Sequence, residues 1–246
     1  MKNLTHPKET LYFTLMLVVS VLIYSLAIIS IVGIFYLIFF IVMALFVNGL
    51  FIGHLKGNAV LVTDKQFPDL FKKAEEVAKK LEIKTLPEIY ILESGGILNA
   101  LAIRFLRRHF VVLYTEVLEM AYEKGEDVVE FILAHEMTHV KKNHVFWAQF
   151  LVVGSFVPFL SQAYSRACEY TCDHYATYLQ PRGAVSGLLA LASGKELYHR
   201  VDPQEFASQA LTRRGFWVWL AEKLATHPHL THRLVEAQQY QQLAQS

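Results

Sequence analysis

Charge is scarce in this chain, and so is cysteine. Only 18% of its 246 residues are Asp, Glu, Lys or Arg, against roughly 25% in an ordinary soluble domain. The 23 basic and 22 acidic residues nearly cancel, leaving a formal net charge of +1. That balance excludes the basic excess of a nucleic-acid binder, so no nucleic-acid partner is expected. Low charge combined with 54% hydrophobic residues excludes intrinsic disorder. Cys168 and Cys172 stand alone, too few for a secreted disulfide framework. There is no internal repeat and no low-complexity segment. These exclusions leave a membrane segment joined to one globular domain.

The membrane segment lies at the amino-terminal end. Residues 10–53 carry no Asp, Glu, Lys, Arg or His. As one helix this run would measure roughly 66 Å, about twice the hydrocarbon thickness of a bilayer. It is weakest at Ser30-Ile31-Val32-Gly33, so two spans are expected, about 11–29 and 34–53. A signal peptide has a much shorter apolar core. Lys2 and Lys8 flank one end of the run, and Lys56, Lys65, Lys72 and Lys73 follow the other. Both flanks of a two-span hairpin face the same side, and the positive-inside rule makes that side cytoplasmic. The lipid bilayer is therefore the first partner expected, with 1–55 as membrane hairpin and 56–246 as a second domain in the cytoplasm.

The second domain reads as strands first and helices afterwards. Residues 67–81 have the spacing of an amphipathic helix. Residues 87–92 form a strand pattern closed by the turn Ser94-Gly95-Gly96. Residues 97–103 and 110–114 predict two more strands, joined by the basic loop Arg104-Phe105-Leu106-Arg107-Arg108. From Thr115 onward the pattern is mostly helical. This order predicts an α+β, mostly helical fold with a small β-sheet rather than a doubly wound one.

Within the helical pattern of residues 127–142 stands Ala134-His135-Glu136-Met137-Thr138-His139. Two histidines at i and i+4 share one helix face, so both imidazoles can reach a single metal ion. Glu136 is rotated by about 100°, which brings its carboxylate beside a water at that metal. Further on, Ser165-Arg166-Ala167-Cys168-Glu169-Tyr170-Thr171-Cys172-Asp173 sets Glu169 and Asp173 at i and i+4. Like charges at that spacing disfavour a helix unless a cation faces them. Beside the upstream motif, Glu169 is the expected third ligand and Asp173 the acceptor for the second ring nitrogen of a metal-bound histidine; a solvated acidic face near Arg166 is the weaker alternative. His227-Pro228 with Arg233 offers a further cation or donor near the metal, though a His-Pro pair is also an ordinary helix start.

Taken in this order, the three motifs resemble the HtpX-type membrane zinc endopeptidases, which include the CAAX prenyl endopeptidase and the mitochondrial inner-membrane stress protease. The resemblance runs from the apolar hairpin to Arg233. It implies a zincin-like domain binding one Zn2+ per subunit. It also implies His135, His139 and Glu169 as ligands and Glu136 as general base, with His227 and Arg233 lining the site. Those last two would stabilise an oxyanion or orient the Glu169/Asp173 pair. Asn99-Ala100 matches the family's element on a strand edge that binds substrate. The implied function is membrane-anchored peptide hydrolysis, with membrane or misfolded polypeptides as substrates. A processing peptidase of narrow specificity and an inactive metal-binding scaffold are the competing readings.

Two features depart from that family. HtpX-type relatives place two membrane spans between the His helix and the Glu helix, but here 29 residues separate His139 from Glu169. A single crossing by the uncharged run 145–164 would put the ligands on opposite faces of the bilayer. The run is therefore expected to fold back on one side, bending at Gly154 and Pro158, either in the core or against the membrane. The second departure is the Cys168/Cys172 pair flanking Glu169: thiolates bind zinc well and one could substitute into the site, but the pair shares a different helix face and buried, reduced thiols are the expectation.

Overall fold

The computed structural model describes residues 3–93, 95, 99–124 and 127–245. Ser94 and Gly96 of the expected turn, and Ile97 and Leu98 of the expected strand, lie outside the described residues. The apolar run becomes two helices, α1 (Pro7–Ile29) and α2 (Ile31–Asn58), both long and apolar enough to cross a membrane. The break is narrower than the four residues read from the sequence. Ser30 alone leaves helical geometry, and its hydroxyl accepts the Gly33 N–H at 3.3 Å to cap α2. Gly33 itself is helical, and a Cβ there would stand 2.3 Å from the Ala27 carbonyl oxygen. The close approach of the two helices demands glycine at that point.

Both ends of the hairpin rest on the rest of the chain. Glu9 and Met16 of α1 are buried, as are Ile52 and Leu55 of α2. Between them the apolar surface is bare: Ile29 is 81%, Ile31 75% and Phe35 70% exposed. An apolar surface of this extent belongs against lipid or a partner, not water.

Among the described residues the sheet has four strands in the order β1 (Val60–Leu61), β2 (Glu88–Leu92), β4 (Arg108–Tyr114), β3 (Ala100–Phe105). β2 and β4 are parallel, with Ile89 opposite Val111, and the other pairs are antiparallel. β4 reads as an unbroken apolar run because it is buried on both faces. Val111 and Leu113 join the main core, while Phe110 and Val112 pack with Ile52 and Leu55 from the end of α2. β3 is left as an edge.

The expected basic loop is a correction. Arg104 and Phe105 belong to β3 and Arg108 to β4, so the connection is the two-residue turn Leu106-Arg107. Both residues have positive φ, 43° and 70°. A two-residue hairpin twists correctly only in that left-handed region, where asparagine and glycine fit better than leucine and arginine. Replacing the pair by Asn-Gly is expected to stabilise the protein by about 1 kcal/mol. A thermal melt in detergent that moved downward would contradict this.

The helical part is built around α5 (Asp127–Lys141), buried on nearly every side. Around it stand α3 (Pro68–Lys80), α4 (Thr115–Lys124), α7 (Leu160–Leu179) and α8 (Pro181–Ser193). α8 approaches so closely that a Cβ on Gly183 would lie 2.0 Å from the Asp127 carbonyl oxygen. The uncharged run 145–164 does fold back. It forms α6 (His144–Phe150), a 3-10 turn (Val152–Phe156) and the start of α7. Tyr24 Oη donates to the Phe150 carbonyl at 2.7 Å, and Ser20 Oγ to that of Leu151 at 3.3 Å. One face of the turn-back therefore leans on α1, while Phe156, 81% exposed, points away. Among the described residues a 3-10 turn (Tyr198–Arg200) and the α-helices α9 (Pro203–Thr212), α10 (Phe216–Leu224) and α11 (Leu230–Gln245) follow.

Candidate metal centre

α5 and α7 lie side by side and carry the predicted residues into one cluster. His135 and His139 sit one turn apart with ring centroids at 5.2 Å. Glu169, reaching across from α7, divides its two oxygens between them. Its Oε2 is 3.3 Å from His135 Nε2 and its Oε1 is 3.4 Å from His139 Nε2. Two donors at 2.0–2.1 Å from one tetrahedral ion stand roughly 3.4 Å apart, the spacing that Glu169 keeps from each histidine.

The electrostatics also favour a cation. Burial disfavours charge on His135, but hydrogen bonds to Asp173 and Glu169 outweigh it and raise its pKa to about 10. Burial likewise opposes ionisation of Glu169, yet the two imidazoles hold it well below the usual carboxylate range. A proton on His135 thus occupies ground that a metal ion would take over. Cys172 Sγ also comes within 4.8 Å of the histidine donors. Burial pushes its thiol well above the usual range, so Glu169 is the anionic donor at hand. Cys168 and Cys172 are both buried and free, as expected.

Asp173 accepts from His135 Nδ1 at 3.0 Å, the contact anticipated from its spacing. Its partner on the other side is Arg233 of α11, whose Nε and NH2 each donate at 2.7 Å. Arg233 NH1 also stands 3.5 Å from Glu169 Oε2. Arg233 thus contacts both carboxylates of α7. His227 is two-thirds exposed, with Nε2 3.5 Å from Glu169 Oε1.

A cavity of about 320 Å³ opens over this cluster. Glu136 and His227 line it, and so do Asn99 and Ala100 at the start of β3. The start of this strand therefore borders the same space as the candidate metal ligands. Met16 of α1 also lines it.

Sequence reasoning missed one part of the cluster. His144 lies five residues past His139, off its helix face by spacing alone. α5 ends at Lys141, and Asn143 takes a left-handed conformation (φ 54°) that turns α6 back toward it. His144 Nδ1 then sits 3.1 Å from His139 Nδ1, and its Nε2 3.3 Å from Glu9 Oε1. No local pattern could reveal this, because Glu9 is more than a hundred residues away in the chain.

Comparison with known proteins agrees with the motifs. Residues 64–157 match the model of peptidase family M48. Over this stretch the chain is similar to the peptidases of family M48. The stretch contains β2 to β4 and the whole of α5, hence His135, Glu136 and His139, and it stops short of Glu169. The plastoglobule-localized metallopeptidase 48 of Arabidopsis thaliana chloroplasts is 30% identical over 173 residues, covering 63% of this chain and 49% of the relative. The chain spans about half the length of the curated relative it matches. The HtpX-type resemblance is in keeping with both matches.

Proposed function

We propose that this chain is a membrane-anchored, zinc-dependent endopeptidase. The observation that carries the reading is the convergence of His135 and His139 on Glu169, at 3.3 and 3.4 Å, beneath a cavity bordered by a strand edge. These three residues would hold a zinc ion, which when bound would supply a Lewis acid for the scissile carbonyl and for a water near neutral pH. Glu136, on the same helix turn, would act as the general base that takes a proton from the attacking water. It then passes the proton to the leaving amine. Arg233 holds Asp173 and Glu169 in register, and Asp173 fixes the ring of His135. His227, at the rim, is positioned to donate to the developing oxyanion.

The substrate lies extended along Asn99, Ala100 and the rest of β3, adding itself as a strand. Such binding reads backbone rather than side chains, which suits unfolded or misfolded polypeptides, membrane proteins among them. The hairpin α1–α2 spans the bilayer with the basic residues Lys8, Lys56 and Lys65 on the cytoplasmic side, next to the catalytic part. The test is metal analysis and proteolysis of a panel of unrelated unfolded substrates by the detergent-purified chain. His139→Ala is expected to lower zinc affinity more than about a hundredfold, beyond the 10–100-fold typical of outer hydrogen-bond partners, and to abolish cleavage. Zinc content unchanged in that variant would refute the assignment.

A further inference from the structure

Glu9 is an anomaly. A carboxylate at the start of a long apolar helix is buried, which costs free energy unless every oxygen is satisfied. Both oxygens are. Oε1 faces His144 Nε2 at 3.3 Å, and Oε2 accepts from the Thr171 hydroxyl on α7. The approach is held from several sides. The His6 N–H donates to Thr171 Oγ1 at 2.9 Å, and the Leu4 carbonyl lies 3.1 Å from His174 Nδ1. Lys142 Nζ reaches Thr5 Oγ1 at 2.7 Å.

We propose that Glu9, on the first apolar helix, is a positioning residue for the metal centre, fixing the ring of His139 through His144. The chemistry follows from donor and acceptor counting. An ionised carboxylate only accepts, so His144 presents Nε2–H to Glu9. Neutral His144 then has a lone pair at Nδ1, which accepts Nδ1–H from His139 across 3.1 Å. The Cys172 thiol, 3.6 Å from the same atom, is a weaker second donor. With its Nδ1 proton committed, His139 turns the lone pair of Nε2 toward Glu169 and the metal position. The two histidines are thus oriented in parallel ways: His135 by Asp173 directly, and His139 by a carboxylate acting through a second imidazole. The membrane helix is in this way part of the metal centre, not only its tether.

The inference rests on the zinc reading, and the experiment separates the two. Zinc affinity is measured by chelator competition on the full-length chain in detergent, with a thermal melt as the fold control. Cobalt absorption reports the ligand geometry. Wild type binding one zinc tightly upholds the metal reading; absence of binding overturns both. Given binding, Glu9→Leu and His144→Phe are each expected to weaken it 10–100-fold and to alter the cobalt bands. The double variant should be no weaker than His144→Phe alone, since Glu9 acts through that ring. Glu9→Gln keeps an acceptor oxygen and should stay within about threefold of wild type. Glu9→Asp, one methylene shorter, keeps the charge and the fold but loses reach to His144, so it should weaken zinc binding at least about fivefold. That variant decides the matter if the leucine one does not fold. Wild-type zinc affinity in Glu9→Asp, or multiplicative losses in the double variant, would overturn the proposal.

Discussion

Glu136→Gln is expected to retain its metal and lose proteolysis, with kcat/KM falling by about 10²–10⁴. The amide has nearly the size and shape of the carboxylate, and Glu136 is not among the groups that contact Glu169, so the donors of the centre stay as they are. What disappears is the base. An amide cannot take a proton from the attacking water or return one to the leaving amine. Unfolded substrates should still bind along β3, so KM should change much less than kcat. Zinc analysis and steady-state cleavage on the same preparation provide the check. A glutamine variant that cleaves at the wild-type rate would remove Glu136 from the mechanism, and loss of its zinc would make it structural instead.

The second large effect concerns stability. Asp173→Ala leaves Arg233 buried with its two 2.7 Å hydrogen bonds gone and only Glu169, at 3.5 Å, to offset its charge. Breaking one partner of a buried ion pair costs about 3–5 kcal/mol, because the other charge is left uncompensated in a poorly polarisable interior. For a chain of this size that corresponds to a fall in melting temperature on the order of 10 °C. His135 simultaneously loses its Nδ1 acceptor, so zinc affinity should drop about 10–100-fold. Asp173→Asn, which still offers an oxygen to one partner, should lose less on both counts. A melting temperature of Asp173→Ala within about 2 °C of wild type would contradict the ion pair's role.

Much of this site was legible before any coordinates. The His135-Glu136-x-x-His139 spacing is a local fact about one helix, and a helix turns side chains at i and i+4 to the same side whatever surrounds it. The pair Glu169 and Asp173 could be read for the same reason, and the apolar run 10–53 by its length against the thickness of a bilayer. The short distance in sequence between His139 and Glu169 also predicted the turn-back of 145–164 by exclusion. Where sequence reading slipped, the missing quantity was conformational. The hairpin needed only Ser30 to break because its hydroxyl caps the next helix. The basic loop closed to Leu106-Arg107 because two left-handed residues suffice to reverse a strand.

Pattern along the chain determined the fold class, the apolar hairpin and the helix that carries His135 and His139, since helical and strand periodicities come from backbone geometry that every residue shares. Tertiary structure alone decided the partners across long loops: Arg233 on Asp173, His144 on His139, Glu9 on His144, and the open edge of β3 beside the cavity. Polar contacts of that kind are specific in space but leave no repeat in sequence. A buried donor needs one acceptor within hydrogen-bond reach, and any segment that packs there can supply it.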